Sequence, residues 1–311
     1  MPRAVVFGYH NIGVRCLKTL LAHGVDVPLV VTHVDSPTET IWFDSVAACA
    51  ADHGIATITP DDPNAMECVN EVAALAPDFL FSFYYRRMLK APLLTLPARG
   101  ALNLHGSLLP RYRGRAPVNW AIVAGERETG ATLHYMTGKP DAGDIVAQIA
   151  VPILPDDTAR EVFDKVSVAA EIALDGVLPA LLQGIAPRRP QDATRATYYG
   201  GRRPEDGIID WGSNAPAIHN LVRAVAPPYP GAFTRINGVP ARVLRTRVLD
   251  RDGGRGSEAT LTVADGQMVA QCRGGGRLEL MRVELDGQVC DATALAARLG
   301  AATLGLGEQS K

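Results

Sequence analysis

Over roughly the first 150 residues, short apolar runs alternate with stretches of helical period. Ala4–Phe7, Val27–Thr32 and Phe79–Phe83 are continuous apolar runs, the pattern of strands buried on both faces. Between the first two, Ile12, Cys16, Leu17, Leu20 and Leu21 recur at i, i+4, i+5, i+8 and i+9, a helical stripe that Gly24 stops. Ser45 is placed to cap a second helix ending at His53-Gly54, and a third runs from about Asn64 to Leu75, stopped near Pro77. Ala101–Leu104 reads as another strand. Thr132–Met136 with Ile145–Val151 reads as an edge hairpin, and Thr158–Leu182 as a long helix with Asp156-Asp157 favouring its start. Alternation of this kind predicts an α/β domain with a mainly parallel, Rossmann-like sheet.

The pattern changes near residue 190. Arg188-Arg189-Pro190 through Arg202-Arg203-Pro204 is rich in Arg, Pro, Gly and Thr and reads as a linker. Beyond it, Ala215–Ala224 is a short helix. Phe233–Ile236, Ala241–Val248, Thr260–Val263, Met268–Gln271 and Leu278–Leu285 are then short strands at the spacing of a small β-barrel. Gly253-Gly254-Arg255-Gly256 and Gly274-Gly275-Gly276 are read as turn tips. The expected division is a first domain over 1–190, a linker over 191–204 and a small C-terminal barrel over 205–311.

Composition narrows the classes. With 311 residues, 47% of them hydrophobic, the chain is long enough for a large core or two domains. A net charge of −2 gives no bulk case for a nucleic-acid or membrane-surface binder, and from Glu205 onward basic and acidic residues balance. No apolar run approaches the roughly 20 residues of a membrane helix, and the N-terminus shows no signal-peptide pattern. The five cysteines, Cys16, Cys49, Cys68, Cys272 and Cys290, never form a CxxC. That fits reduced thiols, so a cytoplasmic protein is expected.

Candidate chemistry is concentrated in a few segments. Gly8-Tyr9-His10-Asn11-Ile12-Gly13 sits where a dinucleotide fold carries GxGxxG but lacks the middle glycine, so a tight βα turn is favoured and no nicotinamide cofactor is expected. Asn103 and His105 lie two apart on a predicted strand and therefore share a face. There an amide can hold an oxyanion and an imidazole can move a proton, although a structural Asn and a satisfied His fit the spacing equally well. Arg111, Arg113 and Arg115 follow in a loop that suits either solvent or an anionic ligand. By spacing alone Asp141 is an ordinary turn acid. The remaining histidines form no metal-ligand pair, so no metal is expected.

Asn103-Leu104-His105-Gly106-Ser107-Leu108-Leu109-Pro110-x-Tyr112-Arg113-Gly114, followed by Asp141-x-Gly143-x-Ile145-Val146, resembles the signature of the folate-dependent formyltransferases. That resemblance implies a catalytic set of Asn103, His105 and Asp141, with N10-formyltetrahydrofolate as co-substrate. Phe81-Ser82-Phe83-Tyr84-Tyr85-Arg86, Arg113-Gly114-Arg115-Ala116-Pro117-x-Asn119-Trp120 and Pro230-Gly231-Ala232-Phe233 are similar to one branch in particular. This is the formyltransferase half of the bifunctional polymyxin-resistance enzymes, which acts on UDP-4-amino-4-deoxy-L-arabinose in lipid A modification. Their decarboxylase half has no counterpart in this sequence, so a stand-alone transferase is implied.

Carried over position by position, the folate contacts would be Arg87, Met88, Leu89, Arg115, Thr137, Gly138, Lys139, Pro140 and Asp141. Lys139-Pro140 stands where that branch has Arg-Ala. Arg202 and Arg203 are candidates for the sugar-nucleotide pyrophosphate, since guanidinium groups bind phosphate in bidentate fashion. Two other classes stay open. A methionyl-tRNA formyltransferase shares the core motif and is kept in view by Arg242, Arg245 and Arg247. A non-catalytic nucleotide-binding module is separable by whether Asn103, His105 and Asp141 lie within about 4 Å of one another, the reach of a charge pair.

Overall fold

The computed structural model describes residues 1–37, 39–300 and 303–307. The chain folds into two compact units. The first comprises Met1–Pro117, Glu128–Pro152 and Phe163–Gly200. The second comprises Val118–Arg127, Ile153–Val162 and the chain from Gly201 onward.

The first unit is built on β1 (Arg3–Gly8), α1 (His10–Ala22), β2 (Asp26–Val31), α2 (Val46–Asp52), β3 (Ala56–Ile58), α3 (Met66–Ala74), β4 (Phe79–Phe83), α4 (Ala91–Leu94), β5 (Ala101–His105) and β6 (Arg113–Gly114). After α5 (Pro117–Val123) come β7 (Glu128–Tyr135), β8 (Ile145–Pro152), α6 (Ala159–Gln183) and β9 (Tyr198–Tyr199). Seven of these strands form one sheet in the order β3-β2-β1-β4-β5-β7-β8. The first five strands in that order run parallel, and β7 and β8 add antiparallel to the edge. Val5, Val6, Phe7, Leu80, Phe81 and Phe83 are fully buried, as strands covered by helices on both faces require.

Several local expectations are refined. The β1–α1 turn is the tight turn expected. Tyr9 is the N-cap, and a Cβ on Gly13 would sit 2.7 Å from Val46 Cγ2 at the start of α2, so this glycine lets the two helices approach closely. α3 starts at Met66 rather than Asn64, because the Asn64 side chain is engaged elsewhere: its Nδ2 donates to Met88 C=O and its Oδ1 accepts from the Lys90 N–H. The stretch read as a linker is tied to this unit. Ile145 pairs with Arg189, and β9 adds parallel to β6.

α6 is the long helix expected over Thr158–Leu182. It is the one described helix long and apolar enough to cross a membrane by length and composition, because Glu171 and Asp175 break the apolar run without lowering its mean hydropathy far. Its Phe163, Val166, Ala170, Leu174 and Leu178 are buried, which is the pattern of a core helix.

The second unit contains α7 (Ala215–Val225), capped by the Asn214 side chain, and an antiparallel sheet of β10 (Ala232–Ile236), β11 (Val239–Asp250), β12 (Thr260–Ala264), β13 (Gln267–Gln271), β14 (Arg277–Leu285), β15 (Gln288–Cys290) and β16 (Thr303–Gly305), with α8 (Ala292–Leu299) before the last strand. The order is β10-β11-β14-β13-β12-β16, with β15 beside β14. The sheet curls until its ends meet: Ile236 bridges Leu306, and the Asn237 N–H donates to the Gly305 carbonyl. Trp211, Ile218, Val222, Val243, Leu261 and Leu280 fill its interior. The glycines expected at turn tips lie outside the strands, with Gly274, Gly275 and Gly276 joining β13 to β14, and two of these also make close backbone approaches. A Cβ on Gly274 would lie 2.4 Å from the Gly212 carbonyl oxygen, and one on Gly276 would lie 2.6 Å from that of Asp250.

Candidate active site

β5 places Asn103 and His105 on one face, and the β5–β7 register sets His134 directly across from Asn103. The loop after β7 then returns Asp141 to that same face. The result is one contiguous cluster. Asn103 Nδ2 is 3.2 Å from His134 Nε2, Asp141 Oδ1 is 3.6 Å from His134 Nε2, and Asp141 Oδ1 is 3.7 Å from His105 Nδ1. The three residues expected from the sequence are brought together, with His134 joining Asn103 to Asp141.

The hydrogen-bond partners fix which atoms can act. His105 Nε2 lies 2.7 Å from the Tyr112 carbonyl, an acceptor only, so Nε2 carries a proton and Nδ1 faces the Asp141 carboxylate. Tyr112 adopts φ 59°, which turns its carbonyl toward the ring. His134 Nδ1 likewise donates to the Tyr135 carbonyl at 2.8 Å. In the neutral ring, Nε2 therefore accepts from the Asn103 amide; a proton there would turn it toward Asp141. Asn103 Nδ2 has two N–H groups, so one remains for a substrate oxygen.

Asp141 sits at φ 53° with its side chain 13% exposed, and its Oδ2 accepts from the Gly114 N–H at 2.8 Å. Burial alone would raise its carboxyl. The neighbouring His105 and His134 rings and the Gly114 N–H outweigh that and hold it well below the usual carboxylate range. The plain turn acid read from spacing is thus a buried anion between two imidazoles.

The other candidates separate by exposure. Arg87 and Met88 are exposed, whereas Leu89 packs its side chain into the core with Leu93 and Val69. Thr137, Gly138, Lys139 and Pro140 form an exposed loop leading into Asp141, with Lys139 Nζ 5.4 Å from the Tyr198 ring centre. Arg115 is exposed, and its N–H donates to the Tyr199 carbonyl. Arg113, grouped with its neighbours as a solvated or ligand-binding arginine, is buried and donates to Gln191 and to the Tyr198 hydroxyl. In the second unit, the Arg202 guanidinium lies 4.6 Å over the Trp120 ring and donates to the Asp206 carbonyl, while the Arg203 backbone N–H donates to the Asp206 carboxylate. The described residues contain no cluster of metal-ligating side chains. Two cavities, of about 510 Å³ beside Thr19 and Ile172 and about 350 Å³ beside His219 and Arg223, include none of Asn103, His105 and Asp141.

A scan against protein families matches the formyl transferase model over residues 5–178 and the formyl transferase C-terminal domain over residues 202–300. The chain belongs to the formyl transferase family. Solved structures agree at the level of fold. An N-formyltransferase from Helicobacter canadensis, crystallised with folinic acid and dTDP-3-aminofucose, has TM-score 0.73 at 20% identity and covers 90% of this chain and 99% of its own. WlaRD, a sugar 3N-formyltransferase crystallised in the presence of dTDP and 5-N-formyl-THF, has TM-score 0.71 at 19% identity and covers 93% and 99%. HypX from Aquifex aeolicus, in complex with tetrahydrofolic acid, has TM-score 0.64 at 16% identity and covers 96% of this chain but 47% of its own.

In this formyl transferase, two residues of the site carried no signal strong enough to find from sequence. His134 lay in the predicted hairpin, but only the Asn103–His134 register assigns it to the site. Gln191 lay in a stretch whose composition reads as linker.

Proposed function

We propose that the protein transfers a formyl group from N10-formyltetrahydrofolate to the amino group of a nucleoside-diphosphate amino sugar, more narrowly the 4-amino group of UDP-4-amino-4-deoxy-L-arabinose. The observation that carries the chemistry is the single cluster of Asn103, His134, Asp141 and His105. It holds an amide donor, an imidazole and a buried carboxylate, the set that acyl transfer to an amine needs without a metal. The sugar-nucleotide reading is supported by the neighbours crystallised with dTDP or a dTDP-amino sugar, and the arabinose reading by the FSFYYR and RGRAPxNW segments.

The residues present suit a folate. Exposed Arg87, Met88 and the 137–140 loop offer side chains and backbone to a ligand, while the buried Leu89 side chain supports that segment from the core. When bound, the formylfolate supplies an electrophilic formyl carbon. The second N–H of Asn103 is placed to donate to the formyl oxygen as negative charge grows there, an effect worth roughly 10²–10³-fold in similar sites. As the amine forms its bond to the formyl carbon, His105 takes the amine proton through Nδ1, because Nε2 is committed to Tyr112. It returns that proton to N10 as the C–N10 bond breaks and tetrahydrofolate leaves; proton transfer of this kind contributes about 10²–10⁴-fold. The imidazolium so formed lies beside the Asp141 carboxylate. Arg202 and Arg203 are proposed for the pyrophosphate. An unchanged KM for the sugar nucleotide in both alanine variants would remove them.

The tRNA alternative loses its main support, because Arg242 is paired with Glu284 and Arg247 with Glu279. Against the non-catalytic alternative stand His105 and Asp141, 3.7 Å apart, with Asn103 joined to Asp141 through His134. The deciding experiment presents the purified protein with N10-formyltetrahydrofolate and, separately, UDP-4-amino-4-deoxy-L-arabinose, a dTDP-amino sugar and charged initiator tRNA. Formylated amino-sugar nucleotide detected by mass is the expected result. Formylation of tRNA alone would overturn the proposal, and formylation of the dTDP-sugar alone would overturn only its narrower form. The reaction belongs in the cytoplasm, where reduced thiols and sugar nucleotides coexist.

A further inference from the structure

The Asp141 backbone carbonyl is bound by a residue that no motif marks. The Gln191 side chain uses its entire hydrogen-bonding capacity in one place. Its Oε1 accepts from Arg113 Nε at 3.2 Å and Nη2 at 2.6 Å, and its Nε2 donates to the carbonyls of Asp141 at 2.9 Å and Gly143 at 2.7 Å. The orientation of the amide is dictated by chemistry, because a guanidinium only donates and a carbonyl only accepts. Arg113 is 2% exposed, so these bonds are made by a buried cation whose Nη1 is also held, by the Tyr198 hydroxyl.

These contacts close a ring. From the Asp141 carboxylate it runs to the Gly114 N–H, along the chain to Arg113, across the guanidinium to Gln191, and back to the Asp141 carbonyl. The aspartate is thus held at both its side chain and its backbone by two adjacent residues, one of them acting through Gln191. The constraint has work to do, because Asp141 sits in the left-handed region at φ 53°, a conformation disfavoured for a non-glycine residue. Gly143 is fixed by the same amide, and it packs so tightly that an added Cβ would lie 1.9 Å from the Tyr135 carbonyl oxygen.

We propose that Gln191 is a positioning residue that locks the Asp141 backbone so that its carboxylate faces His105 and His134. The inference rests on the proposed catalytic role of Asp141. Gln191→Leu is expected to lower kcat about tenfold to a hundredfold, the cost of a misplaced catalytic group, with KM for the amino-sugar nucleotide within about threefold of wild type. Gln191→Glu separates aiming from packing. Its carboxylate still satisfies Arg113 but cannot donate to two carbonyls, so it should be as impaired as Gln191→Leu although Arg113 keeps its partner.

The decisive measurement is a double-mutant cycle. If Gln191 acts through Asp141, Gln191→Leu should cause no further loss of kcat in an Asp141→Asn background. A full multiplicative loss there, or Gln191→Glu with wild-type kcat, would overturn the proposal. A second readout needs no turnover. The side-chain nitrogen signals of His105 in NMR spectra should move in Gln191→Leu in the direction they move in Asp141→Asn, and unmoved signals would also overturn it. If the wild type formylated nothing, the proposed function would fail while the NMR comparison still tested whether Gln191 aims Asp141. Should Gln191→Leu not fold, Gln191→Glu carries the same cycle and the same NMR comparison.

Discussion

Asn103, His105 and Asp141 divide the demands of the proposed transfer among groups whose partners leave each one usable atom. Tyr112 occupies His105 Nε2, His134 occupies one N–H of Asn103, and Gly114 occupies one oxygen of Asp141. His105→Ala removes the only imidazole that faces Asp141 through Nδ1, and Asn103→Ala removes the oxyanion donor. Each should lower kcat at least about a hundredfold. Asn103 is half-buried, so the thermal midpoint of Asn103→Ala should stay within a few degrees. His105 is buried and its loss leaves the Tyr112 carbonyl without its partner, so kcat of His105→Ala is read on protein shown to be folded. Near wild-type turnover in either variant would remove that residue from the mechanism. The sign of the Asp141 shift also fixes where acid acts. A carboxyl held below its ordinary value contributes stability that is present above the unfolded value, about 3.9, and lost as pH falls through the folded one. Loss of activity between pH 8 and pH 5 therefore does not come from protonating Asp141.

At the scale of elements, two short strands matter more than their length suggests. β6 and β9 bring Tyr199 so near Gly114 that a Cβ on the glycine would lie 2.2 Å from the Tyr199 carbonyl oxygen, at φ 101°. Gly114→Ala must therefore break the pair or displace the N–H that Asp141 uses. We expect a loss of about 2 kcal/mol or more in stability together with loss of turnover. Wild-type melting and kinetics would refute that account. The segment between β2 and α2 offers a pH test. His33 Nε2 accepts the Arg86 N–H, its ring stacks 4.1 Å from Tyr85, and burial with the charges of Arg86 and Arg87 lowers its pKa from 6.5 to about 4. The unfolded chain then binds a proton that the folded chain refuses, so stability falls as pH drops from 6.5 to 4 and the loss levels off below that. After discounting for partial exposure, the effect is on the order of 1–2 kcal/mol, and in denaturant titrations His33→Gln should abolish it.

The same scale shows what the sequence made legible. β1, β2 and β4 were readable because burial on both faces demands apolar runs, and β5 from Ala101, Leu102 and Leu104 around a polar Asn103. The shared face of Asn103 and His105 followed from strand parity alone. β3 has only Ala56, Thr57 and Ile58, too short to show a period, and α5 and α8, of 7 and 8 residues, are about two turns each. Half of the site depended on relations between distant segments. His134 needed a cross-strand register, Asp141 a loop that folds back at positive φ, and Gln191 a contact with Arg113 across 78 positions of the chain.

At the scale of the whole molecule, the remaining choice lies between a small acceptor and a large one. A tRNA acceptor would need a surface that neutralises several phosphates, and its binding would weaken steeply with salt. The chain as a whole carries a net charge of −2. On β11, two of the three arginines that suggested such a surface are spent on β14, Arg242 on Glu284 and Arg247 on Glu279. Each of these guanidinium groups already faces a carboxylate, which offsets its charge where it would have to meet a phosphate. A sugar nucleotide brings only a pyrophosphate, so a few cations suffice. We therefore expect formyl transfer to the amino-sugar nucleotide to change less than about threefold in kcat/KM between 50 and 300 mM salt, against the orders of magnitude that a tRNA acceptor would lose. Charged initiator tRNA in excess should leave that rate unaltered. The variant Glu279→Gln with Glu284→Gln frees both arginines and adds two net positive charges. If tRNA were the true acceptor, that variant should bind it more tightly and lose its salt tolerance. Unchanged, salt-insensitive turnover of the amino sugar in the same variant would confirm the small acceptor, whereas inhibition of the wild type by micromolar tRNA would overturn it.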